Sequence, residues 1–253
     1  KDVEDLNAWL QLPAAEFGGS PDTRGVLDAD AAMGDKGIVA VDTPDPLCCV
    51  APLFAMGDYT VIALTEPALF HQALQKCAEP LWRKTEAVAK ALPGRLWRIY
   101  GPEYAAPPYL PPRLFHDYVT EYVKPMVDTI QQHGGFARIH SHGRLAPILP
   151  EIKSIGCKGL DPVEPPPQGD VSLADVRARM GEDVVLFGNL EISDIENLPA
   201  EPMAAKVRTA LAEGPNRDGG AFVLMPSACP YGRELAPLTL ANYRTIIDIA
   251  AAM

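Results

Sequence analysis

The feature that most limits what this chain can become is an alternation. Short β-branched or apolar runs are separated by longer segments whose apolar residues recur at helical spacing. The runs are "GIVAVD" (37–42), "RLWRIYG" (95–101), "FARIHS" (136–141), "GLDPVE" (159–164), "VVLFGN" (184–189) and "AFVLMP" (221–226). The helical segments are "EPALFHQALQKCAEPLWRKTEAVAKAL", "PRLFHDYVTEYVKPMVDTIQQHGG", "APILPEIKSIG", "SLADVRARMG", "EPMAAKVRTALAEG" and "TLANYRTIIDIAAAM". Strands joined through helices run parallel, so the expected class is α/β. Several helical segments end on glycine, at Gly134, Gly156, Gly181 and Gly214, where left-handed C-terminal caps are expected.

Two architectures accommodate this order. A doubly wound sheet carries a glycine-rich phosphate loop after its first strand, and neither "GxGxxG" nor "GxxxxGK[ST]" occurs. A (β/α)8 barrel of the TIM type is therefore expected, as one domain over residues 1–253. The chain opens on "KDVEDLNAWLQLP" without Met, and fewer units are readable than the eight that close a barrel. Part of the N-terminal region is expected to be missing.

Composition excludes several classes. A net charge of -11 with no basic cluster argues against a nucleic-acid footprint. No apolar run approaches the roughly 20 residues that span a bilayer, and the opening lacks a signal-peptide layout. A cytoplasmic protein is expected. Five cysteines, Cys48, Cys49, Cys77, Cys157 and Cys229, are odd in number and irregular in spacing, which suits reduced thiols better than a disulfide framework. Cys48 and Cys49 are adjacent, so their side chains diverge and packing is expected of them.

In a parallel barrel the loops after the strands gather at one face and build the site. The polar residues there are Glu103, His140, His142, Glu164, Asn189 and Cys229. His140 and His142 share a face if the strand persists through them, and Cys229 follows the last strand. Imidazole and thiolate are good zinc ligands, and three protein ligands with one open position form a catalytic zinc site. The alternative is a helix-capping His, a satisfied polar His and a packed Cys. Glu103 and Glu164, each held among prolines, could serve as general acid, substrate anchor or fourth ligand, or stand as surface carboxylates. Asn189, after Gly188, could hydrogen-bond a ligand or stabilise its turn. Tyr100, Tyr104, Tyr109 and Tyr231 could wall an apolar pocket or pack loops. His116 and His133 lie in or at the end of a helical segment, where a solvated position is expected. No "GxSxG" supports a serine nucleophile.

The blocks "GPEYAAPP", "GGFARIHSHGRL", "IGCKGLDPVEPPPQGD", "LADVRARMGEDVVLFGNLE" and "FVLMPSACPYGRELAPLTLANYRTII", in that order, resemble the uroporphyrinogen decarboxylase superfamily, and within it the corrinoid-dependent methyltransferases. The resemblance runs from about Gly101 to the C-terminus and implies a (β/α)8 barrel. It also implies zinc held by a His-x-Cys pair and a later Cys, places filled here by His140, His142 and Cys229. His142 stands where the family pattern has Cys, a change that alters the charge of the site. The implied activity is transfer of a methyl group between a small methylated substrate, or a thiol, and a corrinoid carried by a separate protein. No cobalamin-binding "DxHxxG" occurs in this chain. Glu103 and Glu164 are then the expected catalytic carboxylates, with Asn189, Tyr104 and Tyr231 binding substrate. Two alternatives stand beside this: a metal-free decarboxylase, whose family motif rich in arginine is absent here, and a ligand-binding barrel without chemistry. The apolar C-terminal "IIDIAAAM" would tolerate a homodimer.

Overall fold

The computed structural model describes residues 2–13 and 21–252. In chain order the elements are α1 (Val3–Gln11), α2 (Arg24–Met33), β1 (Ala40–Pro44), α3 (Pro46–Val50), α4 (Met56–Thr65), α5 (Pro67–Ala91), β2 (Leu96–Tyr100), α6 (Glu121–Gln132), β3 (Phe136–His140) and α7 (Leu149–Ile155). There follow β4 (Gly159–Asp161), α8 (Leu173–Met180), β5 (Val185–Leu190), α9 (Ile192–Asn197), α10 (Ala200–Glu213), β6 (Phe222–Pro226) and α11 (Pro237–Ala251). The chain gathers into two compact units, one of residues 1–140 with 151–157, the other of residues 141–150 with 158–253.

In the first unit β1, β2 and β3 pair in parallel, with Pro44 opposite Tyr100 and Tyr100 opposite His140. Trp97, Ile99, Ala137 and Ile139 are buried, alternating with half-exposed neighbours. The long α5 buries Phe70, Ala73, Leu74, Cys77, Ala78, Leu81, Val88 and Ala89. That is the spacing of one helical face, and each large side chain buried this way is worth about 1.5–3 kcal/mol. Pro67 starts the helix where its missing N–H costs nothing.

In the second unit β4, β5 and β6 are also parallel, with Gly159 opposite Val185 and Leu190 opposite Pro226. β4 is three residues long, shorter than its sequence suggests, because Pro162 offers no N–H to continue a ladder. Arg177 ties this unit together. Its guanidinium, only 8% exposed, donates to the carbonyls of Gly181, Val184, Gly214 and Ala221 at 2.6–2.9 Å. α8 starts on a reciprocal cap in which Ser172 accepts from the Asp175 N–H and the Asp175 carboxylate accepts from the Ser172 N–H.

Gly134 and Gly156 take the positive φ expected of them; Gly181 also has positive φ but an extended ψ of 178°, outside the left-handed helical region, and Gly214 fails outright with φ -75°. Gly214 is needed for space instead: a Cβ there would lie 2.5 Å from the Phe222 ring. No single helix among the described residues is long and apolar enough to cross a membrane.

Candidate functional site

In the second unit, Glu164 organises the stretch around His142. The β4 strand and the prolines after it bring the Glu164 carboxylate back to residues 142 and 143. Its Oε1 lies 2.8 Å from His142 Nδ1, and its Oε2 accepts the Gly143 N–H at 2.8 Å. The carboxylate side chain is 12% exposed against 36% for the imidazole, so the acid is sheltered and the ring is accessible. Gly143 has φ +90°, a conformation that glycine reaches without a Cβ penalty. A carboxylate on Nδ1 fixes both tautomer and ring orientation and directs Nε2 outward from the pair.

Asn189 lies on β5 opposite Met225 and is half-buried. It lines a cavity of about 300 Å3 together with Pro165, Pro166, Ser172, Asp194 and Lys206. Lys206 and Asp194 form an ion pair at 2.7 Å there. The neighbouring Gly188 is demanded by its φ of +149° rather than by close approach, since a Cβ would sit an ordinary 3.5 Å from the Val163 nitrogen. Cys229 is exposed, two residues after the buried Ser227. Ser227 Oγ donates to Glu191 Oε2 at 2.9 Å and accepts from the Ile192 N–H at 3.1 Å. Tyr231 is 86% exposed and is held by its backbone, whose N–H donates to Glu196 Oε1.

In the first unit, Glu103 sits in the helical turn Pro102–Ala105 after β2, where Oε2 accepts the Gly101 N–H at 2.9 Å. Tyr104 is half-buried; burial and the nearby Cys48 push its phenol upward. Its carbonyl accepts from the Tyr59 hydroxyl at 3.0 Å, and the two rings meet edge to face at 5.8 Å. His140 ends β3 and is half-buried. Because β3 stops at His140, strand alternation does not carry through to His142. His116, expected to be solvated, is half-exposed and pairs through Nδ1 with Glu151 at 2.9 Å. The hydrogen bond to Glu151 raises its basicity.

The residue that sequence reasoning passes over is Asp45. It follows β1, is wholly buried, and its backbone N–H donates to the Tyr100 carbonyl at 2.8 Å. Its Oδ1 caps α3 by accepting the Cys48 N–H at 2.6 Å, while Oδ2 has no hydrogen-bond partner among the described residues. Burial holds the carboxyl well above the usual carboxylate range, and the charge of Glu103 adds to the effect. Gly101, at φ +121°, is obligatory beside it: a Cβ would come 2.2 Å from Asp45 Oδ1. The signal available in the sequence is "DP" after an apolar run, an N-cap followed by Pro at the first helical position.

Imidazole and thiolate remain suitable zinc donors, and Glu164 gives His142 the outer partner typical of a metal ligand. Among the described residues no three His, Cys, Asp or Glu side chains are grouped closely enough to hold a metal ion. Glu164 is engaged with His142 and Gly143, which places it behind the imidazole as an orienting group.

Residues 55–231 match the family profile described as "Uroporphyrinogen decarboxylase (URO-D)". No curated protein matches the chain. Among solved structures, a methyltransferase from Methanosarcina mazei superposes with a TM-score of 0.67 at 18% identity, covering 94% of this chain and 68% of that one. At that identity the likeness is one of fold, and with the strand and helix order it establishes the α/β, TIM-barrel type. The profile spans most of the chain, including Glu103, His140, His142, Glu164, Asn189 and Cys229, and the chain belongs to the uroporphyrinogen decarboxylase family.

Proposed function

We propose that this chain is a methyltransferase of the uroporphyrinogen decarboxylase family, moving a methyl group between a small methylated substrate, or a thiol, and a corrinoid held by a partner protein. The observation that carries the reading is the Glu164 carboxylate, which grips His142 Nδ1 and the Gly143 amide together. A sheltered carboxylate behind an accessible imidazole is how proteins prepare a His for a metal or for proton transfer. The likeness in fold to a methyltransferase supports it.

In this reading His142 and Cys229 would hold zinc, with His140 as the expected third ligand. Zinc, when bound, supplies a Lewis acid that lowers the pKa of a thiol or polarises a methyl donor. The chain's own residues do the rest. Glu164 accepts a hydrogen bond from His142 Nδ1, which fixes the tautomer and the orientation of the imidazole. Glu103, pinned by the Gly101 N–H, offers a fixed carboxylate after β2. Tyr104, whose phenol is pushed upward, stays a hydrogen-bond donor at neutral pH. Asn189 and Tyr231 remain the proposed substrate contacts, and the cytoplasm the proposed compartment.

The family's name-giving reaction supplies the second reading, a metal-free decarboxylase in which His142 and Glu164 move a proton. Elemental mass spectrometry of the purified chain, beside Cys229→Ala and His142→Ala, separates the two. About one zinc per chain, lost in both variants, is expected. Methylation of a reduced corrinoid, followed by its visible spectrum, should fall with the metal. A chain free of zinc after supplementation that releases carbon dioxide from a porphyrinogen would replace the first reading by the second.

A further inference from the structure

α3 and α5 of the first unit bring together two thiols that the proposed function does not use. Cys49 is half-buried on α3 and Cys77 is 1% exposed on α5. Both line a cavity of about 200 Å3 whose other walls are Trp9, Leu12, Pro13, Leu53 and Lys76. The two thiols act on each other, the interaction pushing Cys49 up and drawing Cys77 down. Lys76, next to Cys77 in sequence, is fixed in place. Its ammonium donates to the carbonyls of Trp9, Leu10 and Leu12 at 2.6–2.9 Å and lies 4.7 Å from the Trp9 ring centroid.

We propose that Cys49 and Cys77 form a peroxide-oxidisable dithiol site, reached through the cavity beside Trp9 and Leu12, that closes to a disulfide. The roles of the two sulfurs follow from their surroundings. The interaction with Cys49, together with the Lys76 charge, lowers Cys77 toward the thiolate, and the same interaction favours the protonated form of Cys49. A thiolate is the nucleophile, and a neighbouring thiol is the resolving group. The Cys77 thiolate attacks one oxygen of a hydroperoxide, the O–O bond breaks, and the alcohol leaves with a proton from water. The sulfur of Cys49 then displaces hydroxide from the Cys77 sulfenic acid; the S–S bond forms, and the Cys49 proton leaves in the water. Two thiols lose two electrons and the hydroperoxide gains them.

The other cysteines of the described residues frame the test. Cys48, adjacent to Cys49, is pushed up to about 12 by burial and by the Asp45 and Glu103 charges, so it stays protonated. Cys157 is 4% exposed. Cys229 is exposed and serves as the accessible thiol for comparison.

The experiment is peptide mapping of the whole chain after graded tert-butyl hydroperoxide, with quenching by iodoacetamide. Expected is a Cys49–Cys77 cross-linked peptide, reversible by dithiothreitol, forming about tenfold faster than any oxidation of Cys48 or Cys157. In Cys49→Ser, dimedone should trap a sulfenic acid at Cys77. In Lys76→Met, cross-linking should slow. The proposal is overturned if Cys49 and Cys77 of the unmodified sequence stay alkylatable while Cys229 oxidises. It is equally overturned if Cys77 oxidises without cross-linking to Cys49. Neither result depends on a variant folding.

Discussion

Removing the Arg177 guanidinium should cost the second unit about 3 kcal/mol, and the sum can be followed group by group. Arg177 carries no carboxylate partner among its hydrogen bonds; its four acceptors are all backbone carbonyls. In Arg177→Met the apolar stem is replaced at similar volume, so the packing loss is small. What remains is four carbonyls without their donor. Ala221 keeps a partner, the Leu186 N–H at 3.0 Å. Gly214 is buried, and an orphaned buried carbonyl costs about 1–3 kcal/mol. Gly181 and Val184 are half-exposed, so water recovers much of their loss and about 0.5 kcal/mol each is a fair figure. The charged donor's own desolvation, which holds the Arg177 pKa below its ordinary value, is relieved and offsets part of this. In urea, with a slope of about 2–3 kcal/mol/M, a loss of about 3 kcal/mol moves the midpoint down by about 1–1.5 M at unchanged slope. Arg177→Lys should fall between, because an ammonium cannot span four acceptors in one plane. A shift below about 0.3 M for Arg177→Met would show that the carbonyls find other donors and that the reasoning is wrong.

Other outcomes follow from the same structure. Glu164→Gln keeps the contact with His142 but removes the charge behind the ring, and should weaken metal binding by about 10–100-fold in a chelator competition. Glu164→Gln with unchanged zinc affinity would leave the carboxylate without a role at the metal. Asp45→Asn tests the buried acid. Its folded pKa lies above the unfolded value, so the native state binds more protons and stability drops as pH rises from about 4 toward the folded pKa. The variant should lose that drop and gain on the parent as pH increases, while the two converge in acid; parallel pH profiles would contradict it. Asn242, fully buried on α11, donates to the Ile195 and Leu198 carbonyls at 2.9 and 2.8 Å. Asn242→Leu should cost about 2–3 kcal/mol in denaturant midpoints, and a neutral result would mean those carbonyls are reached by water.

The strands were legible because each is a short apolar run closed by Gly, Pro or a polar turn. The observed ends fall within three residues of the readings, the largest shifts being at the start of β1, where "GIVAVD" becomes Ala40–Pro44, and at the end of β4, where "GLDPVE" becomes Gly159–Asp161. The stretch holding α3 and α4 gives no helical signal, because "PLCCVAPLFAMGDYTVIALT" has too few polar residues to mark a face. α2 is silent for the opposite reason: it buries none of its residues, so no apolar stripe is needed. Gly214 shows how a local rule misleads, since the ring that requires it stands on the following strand. In the candidate site, His142 and Glu164 each stand out as chemistry-bearing residues at strand ends. Their pairing does not, because it joins positions 22 apart through a turn shaped by prolines. Asp45 was hidden by the ordinariness of its motif; what makes it unusual is burial, which no local pattern encodes.

The double grip of Glu164 bears on how this site can drift. One anchor is a side chain and can be exchanged; the other is the Gly143 amide, a main-chain group held in place by a positive φ that glycine reaches freely. A substitution at position 142 therefore leaves the carboxylate one main-chain anchor, the Gly143 N–H. On the proposed function, His142 is a replaceable cartridge in a socket built from main chain, and a change of ligand there is the change such a socket most readily permits.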